Sequence, residues 1–495
     1  MGARTGAAPA PDSAARTGAP DLAARAGAPT PDSAARPEAP APDFAARLSL
    51  ALTGAPDARF LFLGNFEVEQ QWALGEHTLP RLSAAGAGAV VNRMDEFALL
   101  LAGGRDHVVL KTRPDRDYLG YLAGLGLELP RVHVPAVQDP QRTVTADALA
   151  DPALLAELAD LAAEGCRIAV HGVSEPEERL AAATGLPLAG PSAATCKAVN
   201  SKVYSRRLAD ELGLRQPRGW ACETLAELAA AFTAVDAELG DGRAVVKEAF
   251  GVSGKGIARL SSRRRGERIL GMIAKQVEGS GRERIAMVVE EWVDKAADLN
   301  YQFTVGLDGS VAFDFVKEQL TEDGVHKGHR MPARLSAAQV DELRTAADRL
   351  GGRLAADGFH GVVGVDAMVD PDGGLYPVIE INARNNMSTY QVRLQERFVK
   401  PGQVAVARHY PLRLTEPLAF DALRERLDGL LLDPARGRGL LVNNFATVNA
   451  AFTGGDAPAD GRLYGIVVAD SAEELTTIDE EIAVRLAGRE RGDRP

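Results

Sequence analysis

The stretch GVVGVDAMVDPDGGLYPVIEINARNN (361–386) leaves this chain the fewest options. Two runs rich in Val and Ile, 361–370 and 375–382, flank Pro371-Asp372-Gly373-Gly374, a tetrapeptide suited to reversing a chain. Side chains alternate along a strand, so Glu380 and Asn382 share one face. A hairpin centred on Gly373 sets Asp370 opposite Tyr376, Met368 opposite Val378 and Asp366 opposite Glu380, which brings Asp366, Glu380 and Asn382 to one patch. Three oxygen-bearing groups among Val, Ile and Met are costly to bury unless a cation compensates. Hard oxygen donors suit Mg²⁺, or Mn²⁺ in its stead, whereas zinc would want His or Cys. The alternative is a surface hairpin with a wet polar face. Arg384 continues the alternation onto the same side. A cation there either binds a substrate carboxylate or developing oxyanion, or simply neutralises Glu380.

The rest of the chain supplies a scaffold of matching kind. At about 150 residues per domain, 495 residues suggest about three domains. Residues 1–47 repeat PDSAAR, PDLAAR, PDSAAR and PDFAAR with hardly a bulky apolar side chain, so 1–57 is expected to be a disordered tail. RFLFLGN (59–65), AVVNRMD (89–95), HVVLKT (107–112) and RIAVHGV (167–173) read as buried strands, with helices such as Asp147–Glu164 between them. This alternation argues for an α/β domain with a parallel sheet over 58–190. A second block, 191–400, opens with a helix over Ala194–Leu212 and continues with strands at 244–250, 285–293, 300–307 and 310–320. A C-terminal α/β extension, 401–495, has strands at 439–449 and 461–470 and a helix over Ser471–Ala487.

Arginine is the default surface cation: the chain has only ten lysines, and eight of them lie between Lys197 and Lys327. A lysine kept against that bias is a candidate for work that a compact ammonium does better than a planar fork. Lys247 stands on the strand that leads into GVSGKG (251–256), where Gly251, Ser253, Gly254 and Gly256 let backbone amides approach an anion. This is neither a Walker A sequence nor a dinucleotide fingerprint, and a plain hairpin turn is the competing reading. Lys202, in AVNSKVY, lies on the opening helix.

Acidic residues exceed basic ones, 68 against 56, and the net charge of −12 argues against a general nucleic-acid binder. No run of 18 apolar residues or apolar signal core occurs, so a soluble, cytoplasmic protein is expected. Cys166, Cys196 and Cys222 are odd in number and have no CxxC spacing, which disfavours disulfides or a zinc knuckle.

Taken in order, Lys202, Lys247, the glycine loop, EEWV (290–293) and D…E-x-N-x-R at 366, 380, 382 and 384 resemble the ATP-grasp superfamily of carboxylate–amine ligases. GNFEVEQQWA (64–73) and NRMDEFALLLAGG (92–104) resemble the pre-ATP-grasp domain of actinobacterial amino-acid and peptide ligases. The resemblance implies a parallel α/β pre-ATP-grasp domain followed by two α+β subdomains that grip ATP. Lys202 and Lys247 would contact its phosphates and the loop would close over them. Glu290, Glu291 and Val293 would meet adenine at the strand end, and Asp298 the ribose, although a glutamate is the usual residue there. Asp366, Glu380 and Asn382 would hold one or two Mg²⁺. Trp292 would belong to the hinge or to a core.

The implied reaction phosphorylates a carboxylate with ATP, and an amine then displaces phosphate to give an amide. Amino acids or peptides are the expected substrates, with no membrane or nucleic-acid partner; a homo-oligomer is compatible. GVHKGHRMP (324–332) reads as a loop between a strand and a helix, from which Arg330 or His329 would touch the γ-phosphate or the acyl intermediate. Two rivals are a grasp-fold kinase of small molecules and a nonenzymatic nucleotide-binding module.

Overall fold

In the computed structural model, residues 43–79, 87–240, 242–251, 256–322, 325–452 and 458–488 are described. The repeats before residue 43, with most of the expected tail, lie outside them, as do Ser253 and Gly254.

Four strands form a parallel sheet in the order β3-β2-β1-β4: β1 (Phe60–Leu63), β2 (His107–Val109), β3 (Arg131–His133) and β4 (Arg167–Val170). The parallel α/β expectation therefore holds, with one substitution of element. Residues 89–95 are not a strand: the helix Ala87–Asn92 and the 3₁₀ turn Met94–Leu100 occupy that place. The apolar run 97–102 is buried on all sides, and a short buried run has no period that separates strand from helix. The expected helix 147–164 is broken at Asp151-Pro152, where Asp151 caps a new helix and Pro152 takes its first position.

A second sheet, antiparallel and ordered β5-β8-β6-β7, contains β5 (Gly219–Cys222), β6 (Ala244–Glu248), β7 (Ile257–Leu260) and β8 (Met287–Glu291). Helices Leu225–Glu238 and Arg263–Ser280 cover one face, burying Phe232, Val235, Ile269 and Ile273 against Val246, Met287 and Val289.

The third sheet has eight strands in the order β13-β12-β9-β10-β11-β14-β16-β15. They are β9 (Ala297–Val305), β10 (Val311–Glu322), β11 (Val325–Met331), β12 (Gly361–Val369), β13 (Leu375–Asn382), β14 (Val404–Leu414), β15 (Gly439–Asn444) and β16 (Ala459–Ala469). Two expectations change here. Residues 325–331 form strand β11 rather than a loop, hydrogen-bonded to both β10 and β14. The C-terminal strands continue the same sheet as the hairpin, and their apolar face shares a core with the parallel sheet through Phe97, Tyr118, Phe445 and Leu463. Glu96 reinforces that junction: its buried carboxyl accepts hydrogen bonds from the Phe445 and Ala446 amides at 2.6 and 2.7 Å.

Chain order begins earlier than the composition suggests. Asp43 caps the helix Phe44–Thr53, whose Phe44 and Leu48 are buried against the shared core, so the disorder expected through residue 57 does not extend over this segment. The last copy of the repeat differs from the others in carrying Phe at its third position, and that one ring gives the helix something to bury.

Candidate active site

The hairpin β12–β13 forms with Asp366 opposite Glu380, as the alternation requires. Nearer the turn the register departs from expectation: Met368 faces Tyr376, not Val378, and the Asp370 amide donates to the Gly374 carbonyl, so Asp370 does not face Tyr376. The ladder is irregular around Pro377, which has no amide to donate and sits on an edge strand where that costs least. On the other side β12 pairs with β9, which sets Asn300 beside Asp366.

A row of polar side chains thus crosses adjacent strands. Asp366 Oδ1 accepts from Asn300 Nδ2 at 3.1 Å and from Gln319 Nε2 at 2.7 Å. Burial first, and the neighbouring Glu380 second, push the Asp366 carboxyl up to about 6. A carboxyl whose ionisation is made costly by burial and by a neighbouring carboxylate marks a place that a cation relieves. Asn300 Oδ1, buried and without a hydrogen bond among the described residues, adds another oxygen. These groups fit a magnesium ion by donor type. Asn382 fits less well as placed: its Oδ1 accepts from Arg384 Nη2 at 2.9 Å, while its Nδ2 lies 3.4 Å from Asp366 Oδ2.

Lysine supplies the cation in this state. The expected single helix 194–212 is two helices, Ala193–Val199 and Lys202–Glu211, interrupted at Asn200-Ser201, with Ser201 as the cap of the second. The break sets Lys202 on a first turn, from which Nζ donates to Glu380 Oε1 at 2.6 Å and to the Gly251 carbonyl at 3.2 Å. One buried ammonium therefore ties the start of the glycine loop to the hairpin. Burial works against its charge, but Glu380 and Glu69 hold the Lys202 ammonium above its usual range.

Lys247, on β6, pairs with the Glu290 carboxylate on the adjacent strand β8. Glu290 is buried, and Arg206 approaches its other oxygen at 3.7 Å. The Glu291 and Trp292 amides are already engaged by the Arg218 and Arg243 carbonyls, and Val293 follows just past the sheet. Trp292 is 40% exposed, so it is not a core residue; the Arg259 guanidinium lies over its ring. Gly256 closes the loop at φ +80°, and a Cβ there would stand 2.6 Å from the Glu248 carboxylate, so both backbone and space require glycine. Asp298 lies at the start of β9, held by Lys295 at 2.5 Å and Thr321 at 2.9 Å.

Arg330 does not join this assembly. Gln319 reaches Asp366, so its neighbour Glu318 points to the opposite face, and Arg330 is the cross-strand partner of Glu318, 3.4 Å from its carboxylate. His329 shares the face of Gln319 but is buried, 3.4 Å from Ser388 Oγ.

Arg384 is held from the other domain. Its Nε donates to Glu69 Oε1 at 2.9 Å, Nη2 adds a second bond to the same oxygen, and Nη1 donates to the Asn385 carbonyl at 3.0 Å. Asn385 is bound in turn to His171 and Val170, at the end of β4. Glu69 is a member of this assembly that the sequence pattern does not single out. Its signal was present in GNFEVEQQWA, which follows β1 of a parallel sheet, and ligand-contacting residues collect at the carboxyl ends of such strands. The three cysteines are buried and free, consistent with a structural role.

Comparison with known proteins agrees with this architecture. Residues 94–186 match the family model described as the Pre ATP-grasp domain. Over 413 residues, 82% of this chain and 90% of the relative, the sequence is 24% identical to the butirosin acyl-carrier protein L-glutamate ligase of Niallia circulans. Among solved structures, the biotin carboxylase–ATP complex from Campylobacter jejuni has the same fold with a TM-score of 0.51 at 15% identity, covering 86% of this chain and 91% of that one. The ADP complex of an N5-carboxyaminoimidazole ribonucleotide synthetase gives a TM-score of 0.50 at 13% identity, covering 86% and 96%. The domain match and the structural likeness give this chain the ATP-grasp fold, with a pre-ATP-grasp domain in front of the grasp.

Proposed function

We propose that the protein is an ATP-dependent ligase that activates a carboxylate as its acyl phosphate and joins it to an amine, releasing ADP and phosphate. The observation that carries this reading is the convergence at the hairpin β12–β13 of Lys202 bonded to Glu380, Asp366 across the ladder from Glu380, and Arg384 bonded to Asn382. Phosphoryl transfer needs positioned, neutralised charge rather than a protein nucleophile, and the site offers that inventory. Lys202 and Lys247 hold the ATP phosphates, with Gly251–Gly256 closing over them. Glu290, Glu291 and Val293 border the adenine and Asp298 the ribose. Asp366, Glu380 and Asn382 would hold Mg²⁺, which would supply charge neutralisation for the transferring phosphate. Arg384 binds the carboxylate to be activated and the oxyanion formed when the amine attacks.

Amino acids are the substrate class that this reading favours. A carrier-protein-bound acceptor is supported by one finding, the relative whose name couples an acyl-carrier protein to L-glutamate. The test is to incubate the full chain with ATP, Mg²⁺ and pairs of amino acids, following ADP release and product mass. An amide with stoichiometric ADP supports the ligase. A phosphorylated final product with every amine supplied would replace it with a kinase, and ATP binding without turnover would leave a nucleotide-binding module.

A further inference from the structure

Glu69 presents an asymmetry that the ligase reading leaves unused. Both hydrogen bonds from Arg384 go to Oε1, and among the described residues Oε2 accepts none, although Glu69 is only 8% exposed. A carboxylate oxygen that no side chain or amide engages is available to a ligand. Its location is equally specific: the short helix Val68–Trp72 carries it across the domain junction, near enough to Lys202 to act on that ammonium. A cleft lined by Val170, His171, Val173 and Asn385 borders Arg384, the residue that holds Glu69.

We propose that Glu69 Oε2 is the docking and proton-accepting group for the attacking amine, supplied by the pre-ATP-grasp domain to chemistry on the grasp. The inference rests on the ligase reading and names its acceptor: a primary amine that arrives as an ammonium, as the amino group of an amino acid or peptide does. The ammonium binds Oε2 and loses one proton to it. The freed lone pair attacks the acyl carbon, the bond from that carbon to the phosphate oxygen breaks, and phosphate departs with the electron pair. The second nitrogen proton leaves with phosphate, so the products are amide, hydrogen phosphate and a protonated Glu69 that returns its proton to solvent. Arg384 bonded to Oε1 fixes the carboxylate plane, so each oxygen has one task.

Glu69→Gln tests this, because an amide oxygen still accepts from Arg384 while the negative charge and the proton acceptor are gone. Parent and variant are compared with the protein amino acids as carboxylate donors, first with hydroxylamine, a nucleophile uncharged near neutral pH, and then with amino acids as amines. The expected result is hydroxamate formation within a few-fold of the parent and amide formation reduced on the order of 10²–10³, the range for losing a general base. Equal losses in both assays would reduce Glu69 to a support for Arg384 and overturn the proposal, as would amide synthesis at the parent rate. A parent that forms no hydroxamate with any acid defeats the ligase reading itself, and this inference with it.

Discussion

Lys202 Nζ and Glu380 Oε1 lie 2.6 Å apart, so the group assigned to ATP phosphate and the group assigned to metal are each other's partner before either ligand arrives. Under the proposed function, Glu380 would exchange the lysine for Mg²⁺ and Lys202 would turn to phosphate. The ammonium and the carboxylate neutralise each other, which is how Lys202, itself buried, keeps its charge.

Glu380→Gln is accordingly expected to abolish turnover while the fold survives, because a neutral amide still accepts from Lys202 but cannot balance a divalent cation. Circular dichroism and ADP release on the same preparation check it. Wild-type turnover would remove Glu380 from the metal site.

Arg384→Ala should lower amide formation on the order of 10²–10³, the effect of removing one oxyanion donor. ATP affinity should change far less, since neither Lys202 nor Lys247 is hydrogen-bonded to Arg384. Titration of nucleotide alongside the rate measurement separates the two, and equal losses would move Arg384 into the nucleotide site.

The N-terminal segment divides at residue 43. Removing residues 2–42 should leave the melting temperature nearly unchanged, whereas Phe44→Ala should cost about 3–5 kcal/mol, the range for emptying a buried aromatic site. That corresponds to a fall of several degrees in a thermal melt. An unchanged melt for Phe44→Ala would show that the helix Phe44–Thr53 contributes nothing to the shared core.

Burial pushes the Glu96 carboxyl up to about 7 from the usual 4.5. Between those values the folded chain keeps a proton that the unfolded chain has released, so stability falls as pH rises through this window and levels off above about 7. Glu67, pushed to about 8 mainly by burial, and Asp95, to about 6, act in the same direction. Glu96→Gln removes one of these titrations and keeps an acceptor for the Phe445 and Ala446 amides. Its melting temperature should exceed the parent's at pH 8 and approach it near pH 4.5. A variant that melts lower than the parent at pH 8 would show that the ionised carboxylate is the stabilising form.

How much of this was legible in the sequence depended on whether a residue's partner was close along the chain. Asp366 and Glu380 were legible because a tight turn fixes their register and strand alternation fixes their face. Met368 was misplaced because an irregular ladder beside Pro377 changes the count without changing the pattern. Arg330 was misassigned because a short polar segment was read as a loop; once it is a strand, alternation turns the side chain to the far face. Glu69 and Arg384 are 315 residues apart, and no local period links them. The helix Phe44–Thr53 was missed because composition averaged its one aromatic ring into a long apolar-poor tract.

The eight-stranded sheet places β14, β16 and β15 against the core of the first domain, with Phe97 meeting Tyr464 and Glu96 meeting Phe445. During synthesis, the pre-ATP-grasp segment leaves the ribosome some 350 residues before its packing partners exist. At ribosomal rates of about 5–20 residues per second, that surface waits on the order of tens of seconds. The nascent chain must therefore carry an unfinished apolar face through most of its own production. Chaperone supply and translation speed are then expected to bear on how much of the chain reaches the native state.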